Sequence, residues 1–242
     1  MNKHQKDKLV ALERIKANRH RTNLFKKCEQ QLIAFFVCRI PSFVTSDMLT
    51  IVGLFGSVVT AGSFVLGHYV GRGWLLLGIV GLFINWFGDS LDGRLAYYRQ
   101  TPRKWYGFSL DFIVDWFANI LIGGAYICYA PHSKEFLGFV FVCLYGWAMM
   151  MALLRYKIVG TYTIDSGIFG PTEVRIVIML LLVLEVILPD SLIYSSGVIC
   201  FVLLLVDIKD FRQLLITADQ QDKAEQLEQA SQPIPTASCG EK

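Results

Sequence analysis

Charge is scarce in this chain, and so are paired cysteines and any leader-like start. Of 242 residues, 18% are Asp, Glu, Lys or Arg and 54% are hydrophobic, above the roughly 45–50% apolar content of ordinary soluble domains. The composition is that of a membrane protein. The first 45 residues hold ten Lys and Arg but no apolar h-region and no small-residue cleavage site, which argues against a secretory signal peptide. Six cysteines are present, yet Cys128, Cys143 and Cys200 lie inside apolar runs and the rest show no paired spacing. They read as reduced core residues, and neither a disulfide framework nor a zinc site is expected. No internal repeat is visible.

What is present is a series of apolar stretches near 48–70, 74–97, 107–130, 136–154, 174–189 and 191–208. Most approach the ~20 residues needed to cross a bilayer. The fold expected is all-α integral membrane, with six transmembrane helices and an N-terminal amphipathic interfacial helix. The last two stretches are short and separated only by Pro189-Asp190, which leaves a hairpin and a re-entrant pair both open. With six spans, all of the 23 Lys and Arg except Arg72 and Lys134 fall on one side. The positive-inside rule makes that side cytoplasmic and places both termini there.

Three regions follow. Residues 1–45 form a basic arm with apolar residues at helical spacing, suited to lie along an anionic inner leaflet. Residues 46–208 carry the six spans. Residues 209–242 form a polar tail, expected to be disordered beyond a frayed helix. The bilayer is the expected surrounding, and no nucleic-acid partner is expected.

Against this background the stretch FGDSLDGRLAYYRQTPRKWYGFSLDFIVDW, 87–116, holds Asp89, Asp92, Asp111 and Asp115 among apolar residues. Ionised carboxylates there are costly unless compensated, and are functional by default. Spacings of three and four put each pair on one helical face. Antiparallel spans joined by a short loop bring both pairs to the same membrane edge. Four converging negative charges call for cations. With no His or Cys beside them, hard divalent ions fit and zinc does not. Gly93 leaves room for a phosphate to approach, and Gly107 would allow the two helices to pack closely. Gly78, Gly81 and the pair Gly123-Gly124 would pack helices within the chain or between copies.

The same stretch resembles the signature of the CDP-alcohol phosphotransferases, D-x2-D-G-x2-A-R-x8 or 9-G-x3-D-x3-D. It reads Asp89, Asp92, Gly93, Ala96, Tyr97, nine residues, Gly107, Asp111 and Asp115, so seven of eight named positions match. The resemblance covers roughly 41–208, its specific motif only 89–115. It implies a membrane enzyme of phospholipid synthesis that transfers a substituted phosphate group from a CDP-linked donor to an alcohol, releasing CMP. Asp89, Asp92 and Asp111 would bind two ions, Mg²⁺ or Mn²⁺. Asp115 would be the general base, with a metal contact as well. Gly93 would touch the CDP moiety, and Asp47 and Thr50 of TSDMLT, 45–50, would contact the nucleotide. Tyr97 stands where the family has Arg, so Arg94 or Arg99 would have to supply that charge. Ala96 completes the donor-side set, and the resemblance further suggests a homodimer.

Acceptor recognition is less legible. Arg155, Lys157 and Arg175 fall at the cytoplasmic ends of the fourth and fifth spans, where they would bind an anionic acceptor or simply anchor in lipid phosphates. GPTEVR, 170–175, resembles a Thr-Glu element of choline and ethanolamine phosphotransferases, with Glu173 as the contact. Donor type, CDP-diacylglycerol or a CDP-alcohol meeting diacylglycerol, stays open. A transporter or proton relay is the rival from another class.

Overall fold

The structure is a computed structural model, described for residues 26–159 and 171–231. The amphipathic arm over 1–25, the loop 160–170 and the end of the tail from 232 lie outside the described residues. Among the described residues every regular element is helical: α1 (Lys26–Val37), α2 (Ser46–Tyr69), a 3₁₀ turn (Arg72–Leu75) leading into α3 (Leu76–Tyr98), α4 (Lys104–Tyr129), α5 (Phe136–Val159), α6 (Pro171–Ile187) and α7 (Ser191–Ser231).

Among the described residues, five helices are long and apolar enough to cross a membrane: α2, α3 with its leading turn, α4, α5 and α7. The fifth apolar stretch, 174–189, becomes α6, whose 17 residues extend about 26 Å at 1.5 Å per residue. That is short of a ~30 Å hydrocarbon layer. In α5 and α7 only 17% of the apolar window is buried against protein. Their outer faces are left to meet lipid tails.

Packing closes a ring of six helices. α2 packs on α3 and on α4, α4 on α5, α5 on α7, α7 on α6, and α6 back on α3. Although α3 and α4 are consecutive, α2 mediates between them. Small residues let α2 and α3 approach closely: a Cβ on Gly81 would lie 2.6 Å from the Gly56 carbonyl, and one on Gly88 2.6 Å from Gly53 Cα. Such backbone proximity is the usual way membrane helices gain van der Waals contact. Gly78 is likewise filled from within the chain by Ser63 and Leu182, and Gly123 faces Val142 and Gly138 of α5. Gly107 departs from expectation. It is exposed and a Cβ there would meet nothing.

Local signals set the ends. Thr45 caps α2 by accepting from the Met48 amide at 3.2 Å, and α3 stops at Gln100, whose φ of 59° is the left-handed turn common after helices. α6 and α7 form a hairpin through 188–190. Glu185, 1% exposed, accepts from Tyr129 Oη at 2.7 Å, Leu192 N at 2.7 Å, Ser191 Oγ at 3.2 Å and Asp190 N at 3.2 Å. One buried carboxylate thereby satisfies the free amides that begin α7. α7 continues to Ser231, so the polar segment from 209 is helical further than its polarity suggests. Its Ala, Glu, Gln, Lys and Leu are good helix formers, and Lys223 pairs with Asp219 at 2.6 Å one turn away.

α1 packs Ile33, Ala34 and Val37 against Leu49, Leu91 and Leu95. Residues 26–37 are therefore fastened to the same end of the ring at which α3 ends and α4 begins.

Candidate functional site

The aspartates gather at that end. Carboxylate oxygens of Asp89 on α3 and of Asp111 and Asp115 on α4 all lie within 4.8 Å of one another, bridging the opening between helices that α2 holds apart. The i, i+4 spacing of Asp111 and Asp115 puts both on one face of α4. All three are half-buried.

Asp92, by contrast, is 7% exposed and lies outside that trio. Its carboxylate accepts from Thr50 Oγ1 at 2.7 Å and from the Gly93 amide. Ser46 Oγ donates to the Asp92 carbonyl at 2.9 Å. TSDMLT is thus a docking element for Asp92: Thr45 starts the helix, and Ser46 and Thr50, one turn apart, grip the same residue.

A guanidinium reaches the trio from the far side of α3. Arg175 on α6, 13% exposed, places Nη2 2.7 Å from Asp89 Oδ2 and donates through Nε to Asn85 Oδ1 at 2.8 Å. Asn85 in turn donates to the Gly53 carbonyl at 3.1 Å and Ser57 Oγ at 3.0 Å. Three helices, α2, α3 and α6, are tied together beneath Asp89. The all-oxygen donor set of three converging carboxylates suits a hard divalent cation. The residues fit Mg²⁺ or Mn²⁺.

Other expected site residues sort by their neighbours. Gly93 is exposed, and a Cβ would meet nothing, so space opens beside the aspartates. Arg94 and Ala96 are half-buried on α3, and Tyr97 is exposed. Arg99 is held elsewhere. Its guanidinium donates to the carbonyls of Pro41 at 2.7 Å and of Val44, fastening the turn before α2. Asp47 pairs with Arg103, which also stacks over Tyr106, 4.2 Å from its ring centre. Arg155 lies 3.7 Å from Asp210 of α7, and Lys157 is exposed. Of the basic acceptor candidates, Arg175 alone is shown joined to the aspartate trio. Glu173 lies on α6, but its side chain is outside the described residues.

Sequence reading missed Ser46, Asn85, Asn119 and Tyr145. Asn85 precedes Asp89 by one turn and Asn119 follows Asp115 by one turn, so polar residues at helical spacing within apolar runs were the available signal. Tyr145 on α5 is within electrostatic reach of Asp115, Arg175 and Asp89, and carried no such signal.

Comparison with individual curated proteins gives no match. The sequence model of the CDP-alcohol phosphatidyltransferases, in contrast, matches residues 43–208, from just before α2 into α7 and across the whole ring. By that match the chain belongs to the CDP-alcohol phosphatidyltransferase family and is a transferase of substituted phosphate groups.

Proposed function

We propose that the chain transfers a phosphatidyl group from CDP-diacylglycerol to an alcohol and releases CMP, with the aspartates at the cytoplasmic end of the ring. The observation that carries this reading is the trio of carboxylates within 4.8 Å, set beside the open space at Gly93. Asp89, Asp111 and Asp115, with Asp92, would hold two divalent ions. Bound there, such ions would neutralise the diphosphate and the departing CMP.

The chain's own residues do the rest. Thr50 and Ser46 hold Asp92. Arg175, fixed by Asn85, sets the position of Asp89 and offers a guanidinium to an incoming phosphate. Gly93 lets the donor approach α3, with Arg94, Ala96 and Tyr97 along the same stretch. Asp47 steadies the α3–α4 loop through Arg103.

Asp115 accepts the proton of the acceptor hydroxyl. The acceptor oxygen forms a bond to the phosphorus that carries diacylglycerol, the bridging P–O bond to CMP breaks, and its electron pair leaves with CMP. The acyl chains remain in lipid while the nucleotide sits at the ring's mouth.

In this reading α6 completes six spans, tilted neighbours and local thinning accommodating its length. Both termini are cytoplasmic, residues 1–45 lie on the inner leaflet, and the enzyme is a homodimer. A transport path would spread its carboxylates through the bundle, whereas these cluster at one end. Acceptor-dependent CMP release that vanishes in Asp115→Asn tests the reading.

A further inference from the structure

One buried polar atom below the aspartates has no hydrogen-bond partner among the described residues. Asn119 is 5% exposed, and its Nδ2 donates to the Val142 carbonyl at 3.3 Å. Because a carbonyl only accepts, the amide orientation is fixed, and Oδ1 is left buried with no hydrogen bond among the described residues. Buried orphans of this kind are rare in native proteins and call for a ligand or water. Tyr145 on α5 is half-buried.

Both belong to one place. The antiparallel register of α4 and α5 is set by Asn119 against Val142, by Trp116, whose ring fills the space over Gly146, and by Gly123 against Gly138. That register puts Tyr145 level with Asp115 and Trp116, and electrostatic reach to Asp115 agrees. Asn119 follows Asp115 by four residues, one turn and about 6 Å deeper in the ring.

We propose that this cleft between α4 and α5 is the acceptor subsite, and that it takes a polyol. An alcohol both donates and accepts hydrogen bonds. The reacting hydroxyl accepts from Tyr145 Oη and gives its proton to Asp115, while a second hydroxyl of the same molecule donates to Asn119 Oδ1. The 6 Å step suits two oxygens of one small polyol. An alcohol with a single hydroxyl leaves Asn119 unpaired, and unpaired buried groups are what give such sites their discrimination. The subsite rests on the phosphatidyl-transfer reading.

The test is steady-state CMP release by full-length protein in lipid, with Mg²⁺ and CDP-diacylglycerol, comparing wild type, Tyr145→Phe and Asn119→Leu over glycerol 3-phosphate, inositol and serine. Tyr145→Phe removes one oxygen and keeps the ring. Expected are an acceptor KM raised about tenfold in both variants, an unchanged donor KM, and a preference for polyol over serine that shrinks in Asn119→Leu. An unchanged acceptor KM in Tyr145→Phe, or equal rises in donor and acceptor KM, overturns the subsite while transfer stands. A folded wild type that releases no CMP with any acceptor or CDP-linked donor overturns the transfer reading and the subsite with it.

Discussion

Asp89 and Asp115 belong to one trio yet have different company. Asp89 is paired with Arg175 and Asp115 faces the proposed acceptor. Asp115→Asn is therefore predicted to abolish transfer, to below about 1% of wild type, while Mg²⁺-dependent binding of CDP-diacylglycerol persists. Asp89→Asn is predicted to weaken metal and donor binding together, because it removes a ligand and also frees Arg175. Calorimetric titration beside CMP release separates the two, and equal, small losses would contradict the assignment. Thr50→Val is predicted to lower activity or metal affinity about 10- to 100-fold, the usual cost of losing a ligand's supporting hydrogen bond, with Thr50→Ser restoring it. The aspartates were legible because a carboxylate among apolar residues declares itself. What was not legible is which cation or hydroxyl each would meet. Arg175 was visible as a charge, but its link to Asp89 depends on α6 lying against α3, and Arg99, one of two alternatives for the charge missing at Tyr97, is used by tertiary contact to hold the turn at 41–44.

Helices and their joints carry stability more than chemistry. The α6–α7 hairpin hangs on Glu185, at the opposite end of the ring from the aspartates. Glu185→Ala would leave the Leu192 amide and the Tyr129 hydroxyl unpaired, at about 1–3 kcal/mol for each buried group. The expected outcome is a lower thermal midpoint in detergent with kcat unchanged in the protein that remains folded, and a loss of kcat at full stability would contradict it. Apolar run length located the helices well, since a span must satisfy its own backbone. It located function at glycines poorly: Gly81 and Gly88 are pressed against backbone, while Gly107 faces open space, and only the neighbouring helix distinguishes them. The hairpin at 188–190 was left open for a similar reason, because the buried carboxylate that closes it lies within an apolar run. The segment after 208 was undercalled because polarity was weighed above helix propensity.

Taken together, the ring explains why the proposed site lies at one end. α2 separates α3 from α4 and leaves a mouth lined by Asp89, Asp111 and Asp115, with Arg175 behind it and lipid-facing surfaces on α5 and α7. Chelation of divalent ions is predicted to stop transfer and Mg²⁺ to restore it, with no loss of helical content by circular dichroism, because the fold is held by helix packing and not by the ions. The most direct test is CMP release by purified protein in lipid with Mg²⁺ and CDP-diacylglycerol over a panel of alcohols, beside Asp115→Asn. Acceptor-dependent CMP from wild type, and none from the variant, is the predicted result. The same CMP release from both, or none from folded wild type with CDP-diacylglycerol, would contradict it.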